Sequence, residues 1–249
     1  MVFSLKSAIL GLSGLVALVT AHTHLHAVTI NGEEMYPGEC LRFWGEPWNS
    51  PVLDISGKEM KCGHGGANPG LMTCPVKAGT EMSIRYYSQS INAWDRVISG
   101  NHFGPCQVYM APAESNGEGD VWFKIYKEDY DHNMDLWCTQ KLRETNGLLN
   151  FTLPKNIPSG KYLIRGELIT LQAARGRRSV DPKLGAQLYI DCVQVDLEGG
   201  NNNAKVPAGV RFPGEYEDSH PGLYGNYIQA VAPNPYPFPG PPVFDDKTA

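Results

Sequence analysis

The stretch GAQLYIDCVQVDL (185–197) constrains the fold most. On an extended chain Leu188, Ile190 and Cys192 share one face, and Val193, Val195 and Leu197 then carry the apolar pattern on the opposite parity. The switch predicts a bulge near Cys192. Gln187 and Tyr189 fall together on the face opposite Leu188 and Ile190, and a polar pair on a core strand needs partners or has a task. Alternation also runs through TEMSIRYY (80–87), CQVYMA (106–111), VWFKIY (121–126), LLNFTL (148–153) and KYLIRGELITL (161–171). Gly and Pro punctuate the intervals, as in NPGLMTCPVKAG and PKNIPSG. One short helix is expected near DLWCTQKLRE (135–144). Strands with turn-rich spacers and no strand–helix alternation predict an all-β chain, an antiparallel β-sandwich with long loops.

Residues 1–21 read differently. One cation, Lys6, precedes an apolar run from Ala8 to Val19, and Val19-Thr20-Ala21 offers the small residues that signal peptidase accepts. A bilayer span needs about 20 apolar residues, more than this run supplies. The expectation is a secreted, extracellular protein cleaved after Ala21, with His22 as its first residue. Without Lys6, 20 basic side chains face 26 acidic ones, a net of −6 that argues against nucleic-acid and anionic-membrane partners. Six cysteines (Cys40, Cys62, Cys74, Cys106, Cys138 and Cys192), with no CxxC pair, fit up to three disulfides better than a zinc–thiolate site. Asn150-Phe151-Thr152 is a glycosylation sequon. Six prolines in PNPYPFPGPP (233–242) read as a tail or linker over 231–249, or as a segment wrapping the surface with Tyr236 and Phe238 as anchors. The folded domain is expected over 22–230.

A free N-terminal histidine is a chelate, because its α-amine and its ring can bind one ion. A second imidazole would complete an all-nitrogen tetragonal set, which suits Cu(II). The other histidines are His24, His26, His64, His102, His132 and His220. His102, in SGNHFGPCQVYMAP, stands just before a strand, a setting that fits a ligand at a sheet end. His64 lies in the glycine-rich CGHGGANPG, and His132 sits among acids in EDYDHNMD.

Taken together, a secretory segment ending at a histidine, then NHFGP, GAQLYIDC and FPGEYEDSHPG, resembles the fungal lytic polysaccharide monooxygenases of auxiliary activity family nine. The likeness continues through NSPVLDISGKEMKC (49–62), WFKIYKEDY (122–130), IPSGKYLIRGELITL (157–171) and VPAGVRFPG (206–214). The resemblance implies an immunoglobulin-like or fibronectin-III-like sandwich holding one copper ion. His22 matches the N-terminal histidine of the family's histidine brace, His102 its second histidine, and Tyr189 the axial tyrosine. Gln187 matches the glutamine that hydrogen-bonds the oxygen co-substrate. A disulfide between Cys62 and Cys192 is implied, and the pairing of the other four cysteines stays open, since Cys106 and Cys138 fall where the family usually has apolar or small residues. Gln172 departs from the pattern: members commonly carry a histidine there, and glutamine can hydrogen-bond but cannot carry a proton charge.

The implied activity is copper-dependent oxidation of β-1,4-glucans such as cellulose at C1 and/or C4. It takes an external electron donor and oxygen or hydrogen peroxide, and works as a monomer. Tyr224 and Tyr227, in GLYGNYIQ, are candidates to stack on sugars, or else pack as edge residues. Two rivals are a non-catalytic copper-binding protein on the same scaffold and a copper-free carbohydrate-binding sandwich. Retention of both Gln187 and Tyr189 favours the enzyme. No carboxylate pair stands out for hydrolysis.

Overall fold

A computed structural model describes residues 22–42, 45–47, 49–88, 96–227 and 234–247, so the expected secretory segment lies outside the described residues. The strands, in chain order, are β1 (His24–Ile30), β2 (Glu33–Met35), β3 (Cys74–Lys77), β4 (Glu81–Tyr87), β5 (Cys106–Pro112), β6 (Phe123–Glu128), β7 (Tyr130–Asp131), β8 (Leu136–Trp137), β9 (Leu148–Thr152), β10 (Gly160–Thr170) and β11 (Gln187–Glu198). The expected helix is present as the single α1 (Cys138–Glu144) among the described residues. One sheet has the order β2-β1-β4-β9, the other β3-β11-β10-β5-β6, and β7 pairs with β8 apart from both. Every pairing is antiparallel except β11 with β3. The architecture is the β-sandwich that alternation predicts.

No bulge breaks β11. Its pairing with β10 runs unshifted from Gly160↔Leu197 to Thr170↔Gln187. The parity switch has another cause: β11 is buried on both faces and serves two cores. Tyr189, Val193, Val195 and Leu197 point between the sheets, where they meet Leu25, Val28, Ile84 and Tyr86. Leu188, Ile190 and Cys192 point to the outer face, which Val52, Met60, Phe212, Leu223 and Tyr236 cover from loops. Both ends therefore read as apolar, on opposite parities, without a break in the ladder. The bulge the chain does contain near its histidines lies in β1, where the register with β4 shifts between Leu25 and Ala27.

Three disulfides staple this body: Cys40–Cys74, Cys62–Cys192 and Cys106–Cys138. The Cys62–Cys192 bond ties the loop covering the outer face to β11, and the Cys106–Cys138 bond ties α1 to the start of β5. The proline-rich segment packs as well. Tyr236 is buried against Trp137 (ring centroids 5.6 Å apart) and Phe238, and the buried ammonium of Lys124 donates to Pro239 O at 2.8 Å. Phe244 N then donates to Lys124 O at 2.7 Å. The packed body thus continues past residue 230, because a segment without core periodicity can still anchor through isolated aromatic rings. No helix among the described residues is long and apolar enough to cross a membrane.

Candidate metal centre

Three elements converge at one end of the sandwich. Leu25 N donates to the buried Asp191 Oδ2 at 2.9 Å, which clamps β1 to β11 and sets His22 beside Tyr189. Beyond β10 the pairing with the 103–105 segment continues, with Ile169 N donating to Pro105 O at 3.0 Å and Leu171 N to Phe103 O at 2.8 Å. This close approach depends on Gly104, where a Cβ would lie 1.9 Å from Ile169 O. His102 is carried in with that segment. Gln187 and Tyr189 open β11 on the inner face.

The rings of His22, His102 and Tyr189 form a nearly equilateral set, each pair of centroids 6.2 Å apart, at interplanar angles of 76°, 47° and 56°. Burial holds the His22 ring below its ordinary pKa, which keeps a nitrogen lone pair at neutral pH. His102 is buried, and its Nδ1 lies 2.6 Å from Asn101 Oδ1. As a donor to that oxygen, Nδ1 holds the proton, so Nε2 would be the nitrogen to offer a metal. Burial also raises the pKa of Tyr189, so its phenol stays protonated. The phenol is 3.4 Å from Gln187 Oε1, and Gln172 Nε2 donates to the same oxygen at 2.8 Å. With two donors on Oε1, Gln187 is left with its Nε2 to offer outward. Gln172 Oε1 is buried with no hydrogen-bond partner.

These residues fit a copper ion on their chemistry. An imidazole centroid sits about 3 Å from an ion that it ligates at roughly 2.0–2.1 Å, so 6.2 Å suits two rings ligating one ion from opposite sides. No group of three or more His, Cys, Asp and Glu side chains that could hold a metal occurs among the described residues, so a third nitrogen would have to come from the main chain. The set is then nitrogen-rich with a weak phenol, which suits copper among the divalent ions.

The remaining histidines are placed elsewhere. His24 and His26 face each other at 5.7 Å, and His26 also meets Tyr87 at 5.1 Å. His132 packs on Tyr130 at 5.1 Å, and His220 Nδ1 accepts from Gly222 N at 3.0 Å. Tyr224 and Tyr227 flank the centre: Ala186 N donates to Leu223 O at 3.3 Å and Gly225 N to Ala174 O at 2.9 Å, which holds their loop against the residues next to Gln187 and Gln172. Tyr224 is 39% exposed, with the Arg177 guanidinium 5.7 Å from its ring. Tyr227 is half-buried, its hydroxyl bonded to Pro221 O and its ring 5.9 Å from Tyr236. Asn150 is exposed on β9, with Ser83 Oγ donating to its Oδ1 at 2.5 Å. Sequence reasoning missed Asn101 and Asp191. Asp191 left a signal, a carboxylate inside an apolar strand, whereas Asn101 left none.

The β-sandwich thus gathers two imidazoles, a phenol and a glutamine at one edge. Residues 22–236 match Auxiliary Activity family 9 (formerly GH61). The "AA9 family lytic polysaccharide monooxygenase A" of Phanerochaete carnosa is 35% identical over 239 residues, covering 94% of this chain and 86% of that protein. A protein of the same name from Aspergillus fumigatus is 34% identical, covering 97% of this chain and 66% of the longer relative. Among solved structures, CvAA9A superposes with a TM-score of 0.81 at 30% identity, over 90% of this chain and 99% of that one. The chain belongs to Auxiliary Activity family 9, whose members are lytic polysaccharide monooxygenases, copper-dependent oxidoreductases.

Proposed function

We propose that the chain is secreted, is cleaved before His22, and oxidises a β-1,4-glucan such as cellulose at C1 and/or C4. One observation carries the reading: the His22, His102 and Tyr189 rings stand 6.2 Å apart in every pair at the open edge of the sheets. His22, through its freed amine and its ring, and His102 would hold copper, with the Tyr189 phenol beside it. Bound there, copper supplies the redox chemistry, taking electrons from an external donor and using oxygen or hydrogen peroxide to oxidise a glycosidic C–H bond.

The chain's own residues bind and orient. Gln187 offers its Nε2 to the co-substrate, held in that orientation by Gln172 and Tyr189. Gln172 gives a neutral hydrogen-bond relay and no transferable charge, so turnover should be low for the family. A positioned acid or base is typically worth 10²–10⁴-fold. Tyr224, exposed beside the centre, stacks on a sugar ring, with Tyr227 packed behind it. Asn150 carries a glycan on the far edge strand.

The test is mass spectrometry of products from cellulose, xyloglucan and mixed-linkage glucan, with copper and a reductant. Oxidised oligosaccharides are the expected result, and the oxidised position reads out C1 against C4. Copper binding without products would instead support the non-catalytic copper-binding reading. A variant with one Gly before His22 should bind copper orders of magnitude more weakly. Unchanged binding would overturn the amine as a ligand.

A further inference from the structure

The glycine-rich CGHGGANPG has no part in the metal centre. Cys62 is bonded to Cys192, and the loop then lies flat on β11: Gly63 takes φ +74°, and a Cβ there would fall 1.9 Å from Ile190 O. Opposite the loop lies Arg42, and the two line a polar cavity of about 330 Å³ shared with Lys58, Lys61, Glu46 and Glu59. Arg42 is only 6% exposed. Its Nη1 donates to Gly66 O at 3.0 Å and to Asn116 Oδ1 at 2.7 Å, both uncharged acceptors, and its Nε is buried with no partner at all. Among the described residues it forms no ion pair, whereas the one cation beside it that does, Lys61, is taken by Glu118. The amides of His64 and Gly65 also donate to no acceptor among the described residues.

A buried guanidinium without a counter-charge is costly even after the protein relaxes around it. Burial with nothing to offset it pulls the pKa of Arg42 below its ordinary value. The same protein shows what compensation looks like: Arg165, fully buried, holds Glu167 through two bonds of 3.0 and 3.3 Å. Among the described residues Arg42 has no such carboxylate. The cavity is of the size that small-molecule sites have, and it is larger than a bare inorganic ion needs. Its lining mixes charges of both signs with amides, which suits a ligand carrying one oxyanion and several hydroxyls.

We propose that this cavity is a binding site for a sugar carboxylate, with the Arg42 guanidinium and the His64 and Gly65 amides on the carboxylate and Lys58 and the acidic rim on the hydroxyls. The site is built on Arg42 and does not depend on how the metal centre is read.

The test is calorimetric titration of the copper-loaded protein with glucuronate, inorganic phosphate and glucose, alongside thermal unfolding with each. Glucuronate is expected to bind and to raise the unfolding temperature, as any ligand of the folded state does. Glucose should do neither, and Arg42→Met should weaken glucuronate at least tenfold. Arg42→Lys should restore part of the loss. Phosphate binding without glucuronate would overturn the sugar and leave an inorganic anion site. No response of the wild-type protein to either anion would overturn the site, as would undiminished binding in Arg42→Met. Should Arg42→Met fail to fold, the Arg42 Nε–H resonance of the wild type decides: no shift with glucuronate would count against the proposal.

Discussion

Strands β10 and β11 serve two polar clusters that obey opposite rules. Midway along β10, on the outer face, Arg165 and Glu167 meet Gln107 and Tyr109 of β5 and Tyr216 from a covering loop. Tyr216 donates to Glu167 Oε2 at 2.7 Å, Gln107 Nε2 reaches Tyr216 at 3.1 Å, and Arg165 Nε donates to Met60 O at 3.0 Å, with Phe212 packed 4.2 Å from the guanidinium. Every polar atom there has its partner inside the protein. At the end of the same strands His22, His102, Gln187 and Gln172 are arranged just as closely, yet Gln172 Oε1 is buried with no hydrogen-bond partner. The closed cluster uses its hydrogen-bonding capacity on the fold, and on the proposed function the open one would keep part of it for a ligand. Saturation therefore distinguishes a structural polar cluster from a functional one better than burial does.

The sharpest way to break this comparison is to damage each cluster once. His102→Ala should abolish oxidation of cellulose and weaken copper by more than the 10–100-fold typical of an outer partner, while costing about 1 kcal/mol of stability. Copper titration with electron paramagnetic resonance checks it, and an unchanged three-nitrogen spectrum would move the site to another histidine. Glu167→Gln should do the reverse. It leaves Arg165 buried without its counter-charge, at a cost of roughly 3–5 kcal/mol in denaturant unfolding, with copper affinity of the folded protein unchanged.

A smaller effect sharpens the open side. Gln172→Ala should lower the initial rate on amorphous cellulose only modestly, since no proton transfer is lost. Gln172→His should raise the rate and introduce a pH dependence between about 5 and 8. A rate that falls in Gln172→His with copper still bound would mean that the glutamine is fitted to a role of its own.

The smallest effect concerns Lys124, next to the closed cluster. Burial pushes its pKa from the usual 10.5 down to about 7, against the pull of Glu167 and the Tyr109 and Phe238 rings at 5.4 and 5.6 Å. Between these values the unfolded chain binds more protons than the folded one, so stability should rise with pH from about 7 towards 10.5, and the full penalty applies below 7. Lys124→Met removes that penalty and also the bond to Pro239. The unfolding temperature of Lys124→Met relative to wild type should therefore be highest near pH 6 and decline towards pH 9. A difference independent of pH would mean that Lys124 stays charged throughout.

Legibility followed distance along the chain. Strand alternation is a local signal, and it located β4, β5, β6, β9, β10 and β11 within one or two residues, together with α1. The pairing of Gln187 and Tyr189 on one face was equally local. It misled only where burial depends on what covers a strand: the parity switch in β11 records two cores, and nothing near Cys192 says that loops from residues 52–60 and 212–236 supply the second. The proline-rich segment left two readings open for the same reason, and the packing of Tyr236 on Trp137 and of Phe238 beside Lys124 decides for the wrap anchored by these two rings.

The sequence by itself determined the class of fold and the motifs that carry the family, because these are patterns of neighbours. The resemblance singled out His102 among the six further histidines, and tertiary structure supplied the reason it meets His22: the Leu25–Asp191 clamp and the pairing of β10 with 103–105. Tertiary structure alone brought Gln172 onto Gln187 and left Arg42 without a carboxylate among the described residues while Arg165 has one. Those outcomes depend on which groups share a few ångströms across more than a hundred residues of chain, and hydrogen bonds and charge pairs act only at that range.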